Sequence, residues 1–144
     1  MGGFTETVRK TIDSDMKNSL IMVGLIFCVI SCDTQKKISI QDNSLDVLLL
    51  GEVIEHLAEG KKVMKNLSKK MKKNGICYFS TPANGPAEDH ILLFTKVSQI
   101  RKFIKDCSWK IIKDSPITLG GMSIDFAEKN SKVINYCAIL KKAN

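Results

Sequence analysis

The sequence predicts an α/β domain built on a mostly parallel sheet that ends in an antiparallel C-terminal strand pair. Three observations lead there. Apolar runs of strand length alternate with segments of helical periodicity, in the order strand, helix, strand, helix and then two strands. The breaks between them fall at turn-forming residues, Asp42-Asn43, Gly51, Asn74-Gly75 and Pro82. Finally, 144 residues with 44% hydrophobic and 26% charged content suffice for one core, which excludes a fibrous, disordered or disulfide-stapled chain.

Thr5–Asn18 is polar with sparse apolar positions and can form an amphipathic helix. Leu20–Ile30, LIMVGLIFCVI, is apolar throughout and has two readings. From Met16 to Cys32 it resembles a bacterial lipoprotein signal, with a lysine, a short apolar core and a small residue before the cysteine, which would make a lipid-anchored envelope protein. The run is too short to span a bilayer as a helix. The expected reading is a buried parallel strand, Phe27–Ser31, ending at Asp33, because residues precede Met16 and no linker follows Cys32.

A polar connector, Thr34–Ser44, leads to a second buried strand, Leu45–Leu50, closed by Gly51. Glu52–Lys73 carries Val63, Met64, Leu67 and Met71 at helical spacing and stops at Asn74-Gly75. Ile76–Thr81 is a third strand, and Thr81–Asp89 is a loop rich in Pro, Gly and acidic residues. Thr95–Cys107 is an amphipathic helix. Trp109–Leu119 and Lys132–Leu140 are the last strands, separated by a glycine-containing loop.

The formal charge of +7 favours acidic partners, yet many of the lysines fall in GKKVMKNLSKKMKK, Gly60–Lys73, between apolar helical positions. A solvated helix face is the plain reading, with an RNA or membrane patch as the alternative; few aromatics interleave, which weakens base stacking. The five cysteines are scattered without a zinc-finger spacing and fit free thiols in a reducing cytoplasm.

One stretch is more specific. Asp42–Pro82 contains Leu45-Asp46-Val47, then Glu52 to His56 as E-x-x-E-H, then Lys72 to Gly75, then Ser80-Thr81-Pro82. In this order these elements resemble the class I S-adenosylmethionine-dependent methyltransferases. The resemblance covers residues 27–140 and implies a partial Rossmann-like methyltransferase fold. It also implies that Asp33 contacts the cofactor's adenine and that Gly51 and Glu52 flank its methionine moiety, although Asp33 also suits an ordinary strand-end turn. The family's D-x-G-x-G loop is not visible upstream, since Gly2-Gly3 has no preceding strand. The expectation is therefore one N-terminally truncated methyltransferase-like domain over residues 1–144.

Both histidines lie in this region beside carboxylates. On a helix, Glu52, Glu55 and His56 would share one face, and His90 follows the next strand, so the four can converge on one edge of the sheet. Such a set can bind a divalent cation, magnesium or manganese among others. It resembles the ubiquinone-biosynthesis O-methyltransferases and the small-RNA 3′-terminal 2′-O-methyltransferases, which implies an acceptor with two neighbouring oxygens. Alternatively His56 or His90 acts as a general base without metal, or Glu55 and His56 merely cap a helix start. The expected function is O-methylation of a small hydroxylated molecule in the cytoplasm, an RNA 3′ end being the lesser alternative and a membrane partner not expected. A catalytically silent remnant serving as a partner subunit is the rival, and an exposed sheet edge would favour a homo-oligomer.

Overall fold

The computed structural model describes residues 21–22 and 40–143. The expectations for Thr5–Asn18, Phe27–Ser31, Asp33 and most of Thr34–Ser44 lie outside those residues. Among the described residues one sheet has the order β1-β2-β3-β5-β4, formed by β1 (Ile21–Met22), β2 (Leu45–Gly51), β3 (Met71–Ala83), β4 (Trp109–Thr118) and β5 (Ile134–Lys142). Thus Ile21 and Met22, from the apolar run with two readings, pair with Val47 and Leu48 as a parallel strand. Among the described residues no helix is long and apolar enough to cross a membrane.

β1, β2 and β3 pair in parallel, whereas β3–β5 and β5–β4 are antiparallel. Four strands therefore share one direction and β5 alone is reversed. The sheet is mixed rather than mostly parallel, because β5 inserts between β3 and β4 and makes two of the four pairings antiparallel. Alternation of strands and helices does not encode which open edge a returning strand joins.

Among the described residues three α-helices accompany the sheet, α1 (Gly60–Lys70), α2 (Val97–Asp106) and α3 (Ile124–Lys129). The long helix expected over Glu52–Lys73 is shorter at both ends. Glu52 takes a positive φ of 49°, and only a single 3₁₀ turn, Ile54–His56, precedes α1. At the other end Asn74-Gly75 lies inside β3. There Leu45 faces Met71 and Val47 faces Ile76, so residues 72–75 bulge from the ladder. Gly75 is needed for close approach, since a Cβ would stand 2.7 Å from the Leu45 carbonyl oxygen. The Asp42-Asn43 turn forms as expected, with Asn43 and Ser44 donating to the last carbonyls of α1, those of Lys69 and Lys70.

β2 is not buried on both faces, as its continuous apolar run suggested. Leu48 and Leu50 are enclosed while Leu49 between them is 38% exposed. Among the described residues the core lies on one side of the sheet, where Met64, Ile100, Ile104 and Trp109 pack with Leu50, Phe79, Tyr136 and Leu140. Trp109 joins layers by donating its indole N–H to the Met64 carbonyl at 2.9 Å, which satisfies the one polar atom that burial of this ring would otherwise strand. α3 was not expected from the glycine-containing loop. Its Ser123 cap accepts from the Phe126 N–H, and its Glu128 carboxylate accepts from the Val97 N–H at the start of α2, where a negative charge suits the helix end.

Candidate active site at the carboxyl edge of the parallel strands

In an open α/β sheet the crevice beyond the carboxyl ends of parallel strands is where backbone polar groups run out of ladder partners and ligands bind. Here that edge is formed by Gly51 of β2, the 3₁₀ turn, residues 80–83 of β3 and the loop that follows. Gly51 and Glu52 leave β2 in a strained step. The Glu52 N–H donates to the Ser80 carbonyl at 3.1 Å, and Ser80 Oγ donates to Glu52 Oε1 at 2.6 Å. Positive φ at a non-glycine residue is uncommon and is sustained here by contacts on both the backbone and the side chain.

Glu55 is the centre of the arrangement. It is 1% exposed, and Thr81 Oγ1 donates to its Oε2 at 2.9 Å, yet its Oε1 has no hydrogen-bond partner among the described residues. Burial pushes its carboxyl above the ordinary range, and the hydrogen bonds from the backbone and from Thr81 offset only part of that. Its backbone carbonyl is used twice, accepting from the N–H groups of Ile91 at 2.7 Å and Leu92 at 2.9 Å. One residue thus pins the loop that carries His90 against the turn that carries His56.

The two imidazole rings meet edge to face with centroids 4.8 Å apart. His90 Nδ1 lies 2.6 Å from the Gly85 carbonyl oxygen and His56 Nδ1 lies 3.2 Å from that of Asp89. A carbonyl only accepts, so each contact puts the proton on Nδ1 and leaves the Nε2 lone pair free when the ring is neutral. His56 Nδ1 is also 3.1 Å from the exposed Asp89 carboxylate, and its Nε2 is 3.9 Å from Glu55 Oε1. Gly85 is required here, because a Cβ would stand 2.8 Å from the Pro82 side chain and displace the carbonyl that orients His90.

One ligand atom from each of Glu55, His56 and His90 lies within 4.8 Å of the others. Of the four residues expected to converge, three do. Glu52 does not join them; its positive φ breaks the helical i, i+4 relation to His56, and Ser80 holds its carboxylate instead. Asp33 lies outside the described residues. Thr81, Asp89 and the Gly85 carbonyl were missed at the sequence level. Thr81 sat in the conspicuous Ser80-Thr81-Pro82 run, but the fact that its hydroxyl reaches Glu55 depends on register between two elements.

The fold and this cluster define a Rossmann-like α/β domain with a polar site at its carboxyl edge. Residues 7–79, just over half of the chain, match the methyltransferase domain family. The chain belongs to that family, the class I S-adenosylmethionine-dependent methyltransferases. The match starts well before Phe27, where the motifs first became legible. No curated protein matches the chain in sequence.

Among solved structures, an S-adenosylmethionine-dependent methyltransferase from Methanosarcina mazei is similar with a TM-score of 0.55 and 12% identity, covering 74% of this chain and 63% of that one. Phosphoethanolamine N-methyltransferase 2 of Haemonchus contortus, in complex with S-adenosyl-L-methionine, gives 0.53 and 12%, covering 74% and 35%. The cyclase SpnF gives 0.55 and 10%, covering 71% and 51%. At such identities the likeness is one of fold, and a cyclase among the three is a reminder that fold alone does not select a reaction. The chain spans less than two thirds of the length of each.

Proposed function

We propose that residues 1–144 form a single methyltransferase domain that transfers a methyl group from S-adenosylmethionine to an oxygen of a small hydroxylated molecule. The observation that carries this reading is the buried, half-satisfied Glu55 carboxylate beside two imidazoles with oriented protons, at the edge where such folds bind ligands. A buried polar atom left without a partner costs about 1–3 kcal/mol. Such a cost is reasonable where a ligand supplies the missing partner.

Gly51 and Glu52 would border the methionine portion of the cofactor and Asp33 would contact its adenine. The region around Gly51 suits that role, since Gly51 ends β2 at the carboxyl edge and carries no side chain there. The cofactor supplies an electrophilic methyl carbon on a sulfonium, open to direct displacement. The chain's part is to hold the acceptor hydroxyl in line and receive its proton. His56 Nε2 and His90 Nε2 are the acceptors for that proton, and the Nδ1 contacts to Asp89 and Gly85 stabilise the imidazolium that results.

Glu55, His56 and His90 would also hold a divalent cation, which would lower the pKa of a chelated hydroxyl. Ligands about 2.1 Å from one ion stand no more than about 4.2 Å apart, so the trio fits after a small closure. One carboxylate with two imidazoles favours manganese over magnesium, which prefers oxygen donors.

The test is transfer of a labelled methyl group from S-adenosylmethionine to catechols and to matched monohydroxy compounds, with and without manganese. Methylation of the vicinal diols alone, dependent on manganese, supports the chelating site. Metal-independent methylation abolished by His56→Ala or His90→Ala supports the general-base form. No transfer under any condition overturns the enzyme reading and favours a silent partner subunit.

A further inference from the structure

Toward the amino end of the parallel strands, away from Glu55, the described surface carries a cluster of lysines. Here α1, the turn before β4 and the end of β5 enclose an open groove of about 590 Å³. Lys61, Lys62, Lys65, Lys69 and Lys142 line it together with Ser108, and no acidic residue does. The wall is tied together by the Ala143 N–H, which donates to the Ser108 carbonyl at 3.0 Å, and by Trp109, which joins β4 to α1.

Lys61, Lys65 and Lys69 follow one another at i, i+4 and i+8, one above the next on a single helix face, about 6 Å per step. Like charges at this spacing destabilise a helix. The fold relieves part of that repulsion from the rim: Lys61 pairs with Asp106 at 3.5 Å and Lys62 with Glu59 at 2.8 Å, Lys142 donates to the neutral Asn43 amide, and the Asp42 carboxylate attracts Lys69 and Lys142 from beside Lys70. Lys65 and Lys69 form no ion pair among the described residues. Five ammonium groups in a groove whose lining holds no carboxylate suit a chain of phosphates, and the spacing of Lys61, Lys65 and Lys69 resembles that of successive phosphates along an extended strand.

We propose that this groove binds the phosphodiester backbone of a single-stranded nucleic acid. A bilayer surface fits less well, because the lining is concave and offers no large apolar side chain for insertion. Recognition is independent of base sequence, since the lining supplies ammonium and hydroxyl groups but no aromatic ring for stacking. The groove lies at the other end of the sheet from the methyl-transfer site, so it anchors the protein rather than seating the acceptor, and it stands whether or not that site is active.

The experiment is fluorescence anisotropy of the full chain with labelled oligouridylate and the matching DNA strand, across a salt series. Saturable binding to both is expected, weakening with salt. Lys65→Glu/Lys69→Glu should lower affinity at least about tenfold and reduce the logarithmic salt slope by about 1.4, two phosphate contacts at roughly 0.7 each. Lys129→Glu/Lys132→Glu removes the same charge elsewhere and should change affinity less than about twofold. The neutral pair Lys65→Gln/Lys69→Gln, checked by circular dichroism for an intact fold, should fall between wild type and the reversal. Equal losses from both reversed pairs, undiminished binding by Lys65→Glu/Lys69→Glu, or binding only to phosphatidylserine vesicles would overturn the proposal.

Discussion

Two carboxylates in this molecule are treated in opposite ways. Asp114, on β4, accepts from Arg101 Nε at 2.7 Å and from the hydroxyl of fully buried Tyr136 at 2.8 Å. Burial works against its charge, but those two hydrogen bonds outweigh it and hold the carboxyl below its ordinary range. Burial, with Asp114 as partner, correspondingly pushes the Tyr136 phenol up. Glu55 is more deeply enclosed, has a neutral hydroxyl on one oxygen and nothing on the other, and is shifted the opposite way. Where only the fold is at stake the chain completes its polar groups; at the carboxyl edge it leaves one incomplete. That difference is what singles out the Glu55 cluster as a place for ligand chemistry.

The comparison can be broken most forcefully at Asp114. Asp114→Ala strands the Tyr136 hydroxyl in the core and should cost about 1–3 kcal/mol of stability, read from the midpoint of urea unfolding. No loss from Asp114→Ala would show that this completed network does not hold the fold and would erase the contrast.

Glu55→Gln should act in the other direction. It keeps an acceptor for Thr81 and removes the buried charge, so the ligand-free chain should gain roughly 1 kcal/mol near pH 8, while any manganese binding disappears. The sign follows from linkage. A carboxyl raised in the folded state leaves stability intact below its unfolded pKa and lowers it as pH rises through the folded value. The gain from Glu55→Gln should therefore vanish by pH 4. Asp114 behaves conversely: its contribution is present above the unfolded pKa and is lost as pH falls through the lowered folded value. Thermal melts of wild type, Glu55→Gln and Asp114→Asn from pH 2 to 8 would check both signs together.

The smallest expected effect sharpens the contrast between the sheet's two ends. Lys65→Glu/Lys69→Glu should leave stability within about 0.5 kcal/mol of wild type, because these side chains are exposed on α1 and the repulsion between two glutamates at i, i+4 replaces a similar repulsion between two lysines. A large destabilisation would mean that the basic row has a packing role.

Much of the scaffold was legible in the sequence because it rests on local signals. The strands at Leu45 and Trp109, the helix ending at Asp106 and the Asp42-Asn43 turn each follow from apolar periodicity and turn chemistry. Three features were hidden. The bulge at residues 72–75 made Asn74-Gly75 look like a helix stop, because a glycine needed for close approach to Leu45 and one needed after a helix are the same letter. The insertion of β5 between β3 and β4 is a choice of edge that no local pattern records. The departure of Glu52 from the metal set arises from one positive φ beside Ser80, whereas the periodicity of Glu52, Glu55 and His56 suggested a common face. Glu55, His56 and His90 were nameable from composition and spacing; the Thr81, Asp89 and Gly85 contacts that orient them required the register of β2 against β3 and the fold of the following loop.

The most direct measurement is calorimetric titration of the chain with S-adenosylhomocysteine, with and without manganese, on wild type and on Asp33→Ala. Saturable binding by wild type that is lost in Asp33→Ala is the predicted result. Absence of binding under every condition would contradict the account and leave a methyltransferase fold without its cofactor.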